Sequence, residues 1–372
     1  MQQLPERHMN ALMAHSNTMD VPRVDAARTA ARVRAWLIAV ATLVFVMVSI
    51  GGATRLTGSG LSITEWQPIM GTIPPLSQAD WLEAFAKYQQ IPQYHHVNRG
   101  MSLEAFKFIY WWEWTHRFLG RLIGLAVLLP FLAFLAAGQL SRGLAQKLAA
   151  IFALGALQGF VGWYMVRSGL ADRLDVSQYR LALHLTLAIL IFGALIWVIL
   201  SLGAPVKSTR GLAVPGTRAA LAVVLILLVQ IVLGALVAGL KAGAAYNTWP
   251  LMDGSLVPDG LGAMEPWYLN LFENALTVQF NHRLAAYVLL VAAAWHAWAV
   301  RRRALDARAH TTSTVLAVAV AAQAALGIWA LLAQVPLALG LAHQAGAAAL
   351  FGIAVWNLHT LRHTPLPTSV VP

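Results

Sequence analysis

The stretch Ile109-Tyr-Trp-Trp-Glu-Trp-Thr-His-Arg-Phe-Leu-Gly-Arg121 opens a long apolar run, yet it carries Glu113, His116, Arg117 and Arg121. Ionisable side chains inside such a segment are costly and are functional suspects by default. Glu113 and His116 stand three apart, so on a helix they share one face. The pattern returns as Leu276-Thr-Val-Gln-Phe-Asn-His-Arg-Leu284. There His282-Arg283 repeats His116-Arg117, while Gln279 stands where Glu113 stood. A membrane helix bearing a site, and a second copy of that site without its acid, set the frame for the rest of the chain.

The 372 residues are 59% hydrophobic and 11% charged. That charge content is less than half of the usual soluble value of about 25%. Apolar runs near the bilayer-spanning length of about 20 residues recur along the whole chain, which implies an all-α polytopic membrane protein in contact with lipid. The net charge of +11 does not point to nucleic acid, because the basic residues sit in short loops where they set topology. There is no cysteine, which excludes disulfides, thiolate metal sites and thiol redox chemistry. Residues 1–33 are polar, without an apolar signal core, and read as a cytoplasmic tail rather than a cleaved signal.

Hydropathy gives eight spans, at 35–53, 106–136, 148–167, 180–202, 219–240, 274–299, 313–332 and 339–361. Arg7, Arg23, Arg28, Arg32, Arg34, Arg142, Lys147, Lys207, Arg210, Arg218, Arg301, Arg302, Arg303, Arg308 and Arg362 fall in the tail and the even-numbered loops. Both termini are therefore expected in the cytoplasm. The first outside loop, 54–105, is long. Ser77-Gln-Ala-Asp80 reads as a helix cap, Trp81, Phe85 and Tyr88 follow at helical spacing, and Pro92 ends the run. Two readings stand: an amphipathic helix on the outer leaflet, covering a lateral entry, or a packed loop helix. In the other long outside loop, 241–273, Trp249-Pro250 and Trp267-Tyr268 mark the membrane interface.

Overlaying the halves exposes an internal repeat. Gly51, Gly60, Trp66 and Gly71 match Gly234, Gly243, Trp249 and Gly254 at an offset of 183. His116-Arg117 matches His282-Arg283 at 166, Gln158 and Gly162 match Gln323 and Gly327 at 165, and His184 matches His343 at 159. Four spans separate the copies, an even number, so the expected architecture is two parallel-repeat four-helix bundles. The boundaries that follow are a tail at 1–33, halves at 34–203 and 219–361, a cytoplasmic linker at 204–218 and a tail at 362–372.

Four of the twelve histidines, His116, His184, His282 and His343, lie in spans 2, 4, 6 and 8, each a few turns from the outside end. In a four-helix unit the second and fourth helices face each other across the core, where cofactor sites are built. Two opposed imidazoles at one depth suit the axial positions of haem iron. A zinc or copper site fits less well, because two histidines per half supply too few ligands. Arg117, Arg121, Arg283 and Arg55 lie at the outer boundary, where they either pair with haem carboxylates or snorkel to the interface. His296 follows His282 by about 21 Å of helix, but its repeat equivalent is Pro130, and that of His359 is Leu200. Both are read as rim histidines rather than as a second haem layer.

Gly51-Gly-Ala-Thr-Arg-Leu-Thr-Gly-Ser-Gly-Leu-Ser, Glu113-Trp-Thr-His-Arg117, His184, Asn281-His-Arg283 and His343 resemble the haem A synthase family across all eight spans. That resemblance implies an eight-helix enzyme of the bacterial cytoplasmic (inner) membrane that oxidises a ring methyl of haem O, through hydroxymethyl, to the formyl group of haem A. It implies that His116 and His184 flank the substrate haem with Glu113 essential beside it, and that His282 and His343 hold a haem b cofactor. The first half would then carry the substrate site and the second the haem b site. A haem O-producing prenyltransferase and terminal oxidase assembly would be the neighbouring activities, and a homo-oligomer is left open. Some members carry cysteine pairs in the outside loops; this chain has none, so a mechanism needing those thiols cannot apply. From the residues alone, a carboxylate in an apolar setting beside haem is suited to proton exchange or to stabilising developing positive charge, and Gln279 cannot ionise for either. The contrasting reading is a bis-histidine dihaem electron carrier resembling cytochrome b561, which has no need of Glu113.

Reporter fusions test the topology. Fusions at 142, 207 and 303 are expected to report cytoplasm and those at 85 and 258 the outside; an outside signal at 303 would overturn the span assignment.

Overall fold

The computed structural model describes residues 21–67, 69–171, 174–203, 214, 216–303 and 305–364. Residues 1–20 with Arg7, most of the linker with Lys207 and Arg210, and the tail beyond Thr364 lie outside the described residues. The helices are α1 (Val21–Leu56), α2 (Gln78–Tyr88), α3 (Pro92–His96), α4 (Leu103–Ala136), α5 (Arg142–Ala171), α6 (Gln178–Gly203), α7 (Thr217–Gly239), α8 (Ala275–Arg301), α9 (Ala307–Leu332) and α10 (Leu337–His363). Eight of them, α1 and α4 to α10, are long and apolar enough to cross a membrane. Among the described residues no strand forms beyond an isolated bridge between Met252 and Ser255.

Several spans run past their hydropathy limits. α1 begins at Val21, within the stretch read as tail, and α9 begins at Ala307 rather than at 313. Hydropathy registers only the apolar part of a helix, whereas capping decides where it starts. The Asp306 side chain accepts from Ala309 N at 2.8 Å, and Ser102 and Asn274 cap α4 and α8 in the same way. Such caps satisfy amides that the first turn leaves open.

The loop helix α2 carries the expected capping box between Ser77 and Asp80, but it is packed rather than laid on a leaflet. Trp81 and Tyr88 are buried in a cluster with Phe106, Ile109 and Tyr110 of α4. The Trp81 and Tyr110 rings meet edge to face at 4.9 Å, and the Tyr88 hydroxyl donates to Gln93. These aromatic contacts consume the apolar face that a leaflet would have needed.

Helix packing is what positions the site. α1 and α5 each pack against both α4 and α6, but α4 and α6 do not pack extensively against each other. α7 and α9 stand in the same relation to α8 and α10. The histidine-bearing helices are therefore diagonal partners held apart by the other two. The halves meet reciprocally, α1 against α10 and α6 against α7, with α6 against α10 at the centre. There Phe351 lies over Gly193 and Phe192 over Gly352, positions that correspond at the offset of 159. A Cβ on Gly193 would stand 2.6 Å from the Phe351 ring, so only glycine permits this approach. Farther out, Gln344 Nε2 donates to Val48 O at 2.6 Å, tying α10 to α1.

Gly193→Val is expected to destabilise the protein by about 1–3 kcal/mol through overpacking, read as thermal unfolding in detergent. Adding Phe351→Ala should recover part of the loss; no recovery would count against this contact as the cause.

Candidate functional site

Each of the four span histidines rests in a notch made by a glycine on a neighbouring helix. A Cβ on Gly51 of α1 would come within 3.1 Å of the His116 ring, and one on Gly162 of α5 within 2.9 Å of the His184 ring. In the second half, Gly234 of α7 and Gly327 of α9 seat His282 and His343 at 3.0 and 2.7 Å. Any larger residue would push the imidazoles toward the diagonal gap. All four histidines are half-buried residues. The structure thus brings His116 and His184 to one half and His282 and His343 to the other, on helices that stand apart.

Glutamines steady three of these rings. Gln158 Nε2 donates to His184 O at 3.0 Å and lies 3.4 Å from its ring. Gln323 Nε2 donates to His343 O at 2.7 Å and lies 3.0 Å from its Nδ1. Gln230 Nε2 lies 3.1 Å from His282 Nδ1. Sequence reasoning used Gln158 and Gln323 only as markers of the repeat and missed Gln230. The signal was present, since Gln230 is a polar side chain deep in the otherwise apolar α7.

Glu113 is 2% exposed, and three donors surround it. Oε2 accepts from Ser62 Oγ at 2.8 Å and from Ile63 N at 2.7 Å, while Oε1 accepts from Arg117 at 2.5 Å. The sequence reading left open whether this carboxylate pairs with Arg117 or Arg121; it pairs with Arg117 and is clamped by charge-assisted hydrogen bonds. Arg117 goes on to donate to the carbonyls of Ile63 and Glu65 at 2.7 and 2.9 Å. Arg283 repeats this grip, donating to Tyr246 O, Thr248 O and Gln279 Oε1. Tyr246 and Thr248 are the 183-offset counterparts of Ile63 and Glu65. Both arginines therefore spend their donors on pinning an outside loop over a histidine pair.

The exchange of Glu113 for Gln279 follows the groups those loops present. The first loop offers a hydroxyl and an amide N–H, which need an acceptor. The second offers the Ala242 carbonyl, to which Gln279 Nε2 donates at 2.7 Å. A carboxylate accepts only, whereas an amide also donates.

Arg121 donates to Gln67 O at 2.8 Å and, with Ser62, Glu65, Lys87, Tyr110 and Arg117, lines an outer cavity of about 190 Å³. Hydrogen bonds to Glu65 and then Glu83 hold the Lys87 ammonium above its ordinary pKa. Arg55 does not join this group: it donates to Ala238 O of α7 at 2.9 Å, at the outer end of the seam between the halves. His296 is not on a rim. It is fully buried, 2.9 Å from Asn357 Oδ1, and Asn357 in turn donates to Thr312 and Ser313. His359 contacts Ser201 and stacks on His363. Among the described residues no three of His, Asp or Glu converge as a metal site.

A family profile described as cytochrome oxidase assembly protein, COX15-CtaA, matches residues 34–355. The chain belongs to this family. A protein of Parvibaculum lavamentivorans named Heme A synthase is 56% identical over 328 residues, covering 88% of this chain and 93% of the relative. One of the same name from Bradyrhizobium diazoefficiens is 55% identical over 336 residues, covering 88% and 91%. Another from Mesorhizobium japonicum is 51% identical over 350 residues, covering 92% and 94%. The match spans both histidine pairs and both arginine grips.

Removing the two arginines should have unequal effects. Arg117→Ala strands a buried carboxylate, at a cost of about 3–5 kcal/mol. Arg283→Ala leaves loop carbonyls and the neutral Gln279 amide without their donor but strands no charge, at about 1–3 kcal/mol. Thermal unfolding of both variants in one detergent checks this, and equal losses would argue against a charged Glu113–Arg117 pair.

Proposed function

We propose that this chain is a haem A synthase that oxidises a ring methyl group of haem O, through a hydroxymethyl stage, to the formyl group of haem A. Relatives of that name at 50–56% identity along most of the chain support the reading. The observation that carries it into the structure is the pair of diagonal histidine sites with unequal surroundings. In this reading His116 and His184 flank the substrate haem O. His282 and His343 would hold a resident haem b, which would supply one-electron redox chemistry when bound. The fit to such a group rests on the half-buried histidines, the gap between diagonal helices and the glycine seats that leave that gap clear. Two four-helix halves of one design, each with its own site, accord with the reciprocal seam.

The protein's own residues then divide the work. Arg117 and Arg283 hold the outer loops closed over the two sites. Glu113, one turn from His116 on α4, is held in place by its three donors, and the contribution proposed for it is electrostatic stabilisation. Arg121, at the outer cavity, and Arg55, at the seam, are the guanidinium groups proposed to meet haem carboxylates. The proposed location is the bacterial cytoplasmic membrane, from the likeness to bacterial relatives, and the basic loops support an orientation with both termini inside. A prenyltransferase that makes haem O would act before this step and terminal oxidase assembly after it.

Haem extraction and chromatography from the purified protein test the assignment. Haem B near one per chain, together with haem O or haem A, is expected. Two haem B per chain and no other haem would favour the electron carrier, a reading to which the matching glycine seats of the two halves lend support. Glu113→Gln sharpens the test. An amide here turns a donor toward Arg117, Ser62 or Ile63 N–H, so some loss of stability is expected as well. The decisive quantity is haem A formed per haem b retained. A sharp fall supports a role for the charge in the reaction, and a ratio equal to that of the parent protein refutes it.

A further inference from the structure

The four imidazoles differ in one respect that the repeat makes visible. His184, His282 and His343 each have a glutamine amide at the ring. Among the described residues none hydrogen-bonds the His116 ring. The position that would supply the missing amide is known from the offset of 183, which equates Gln230 with Met47. The equivalence holds in space as well as in sequence. Gln230 lies one turn before Gly234, the seat of His282, and Met47 lies one turn before Gly51, the seat of His116. A Cβ on Gly120, one turn after His116, would stand 3.3 Å from Met47 Cε. Met47 therefore faces α4 beside His116, as Gln230 faces α8 beside His282, but a thioether offers only a weak acceptor.

We propose that the Gln230/Met47 difference decides which histidine pair keeps its haem and which exchanges it. This rests on the assignment of haem b to the second half and of the substrate to the first. An imidazole that ligates a metal through one nitrogen carries N–H on the other, and an acceptor there fixes the ring and raises its basicity as a ligand. Gln230 Oε1 is buried and has no hydrogen-bond partner. A turn of its amide presents that acceptor to the His282 ring and satisfies a polar atom that is otherwise costly to bury. His282 is thus a steadied ligand. His116, next to a flexible methionine, is a ligand without a brace and is the one that gives way when substrate enters or product leaves. Gln230 and Met47 are positioning residues that act through the two histidines.

The test uses the full-length protein in detergent with apomyoglobin as scavenger. Haem transfer is followed by absorbance, and the haem remaining is identified by extraction. Gln230→Met should speed loss of haem B about tenfold, the lower end of the usual outer-shell effect, and weaken its low-spin spectrum. Met47→Gln should slow loss of haem O and haem A by a similar factor with haem B unaffected. Restoring a hydrogen-bonding side chain as Gln230→Glu should recover most of the retention lost in Gln230→Met. Parent rates in both Gln230→Met and Met47→Gln would overturn the proposal. If Gln230→Met does not fold, Met47→Gln decides alone, and an unchanged release rate overturns it. His282→Ala separates this inference from the reading beneath it. If that variant keeps haem B, the assignment of the second half fails; if it loses haem B while Gln230→Met does not, only the brace fails.

Discussion

A gap between diagonal helices is the constraint on which the rest of the molecule depends. α4 and α6 stand apart, as do α8 and α10, yet neither pair can leave its bundle. In a bilayer no hydrophobic force draws helices together, so close approach comes from small residues and interhelical hydrogen bonds. Here glycines serve two opposite purposes. Gly193 and Gly352 let α6 and α10 close on each other through Phe351 and Phe192. Gly51, Gly162, Gly234 and Gly327 instead take in an imidazole, so that a ring bound to one helix rests on the next without filling the gap. The same residue type closes the seam and keeps the sites open.

The outer ends complete the enclosure. Each half turns an arginine on its second span against the carbonyls of the loop that follows its first span. That geometry survived duplication while its neighbour at 113 or 279 changed. The change accords with hydrogen-bond sense: Ser62 and Ile63 N donate, so an acceptor stands at 113, whereas Ala242 O accepts, so a donor stands at 279. The loop and the residue beneath it differ together between the halves, while the arginine beside that residue is the same in both.

Much of this was legible in the sequence, for reasons that can be named. The spans follow from hydropathy, and the histidine pairs from repetition, because a duplicated site shows itself twice at related offsets. The cap of α2 was legible because Ser77 and Asp80 are local to it. The direction of the Glu113 carboxylate was not, since Ile63 N lies 50 residues away in a loop without periodic pattern. The burial of α2 was not, because Trp81 and Tyr88 suit a leaflet as well as they suit Phe106 and Tyr110. His296 was misread as a rim residue because its partners, Ser313 on α9 and Asn357 on α10, become neighbours only when three helices meet.

That buried cluster bears on how the halves came to differ. His296, Thr312, Ser313 and Asn357 form a polar knot joining α8, α9 and α10 in the second half. The repeat equivalents in the first half are Pro130, Lys147, Leu148 and Val198, which cannot build it. The knot ties three helices together through Asn357, while proline removes a backbone hydrogen bond from α4. Toward the other end of the bundle, Gln230 of α7 lies at the His282 ring, whereas Met47 of α1 stands at the equivalent place beside His116. The two asymmetries are independent in sequence and lie at opposite ends of the bundle. A permanently held cofactor is best served by a scaffold that does not move, and a substrate that enters and leaves by one that does. In the proposed reading, equivalent histidine pairs meet these two needs because what surrounds them differs.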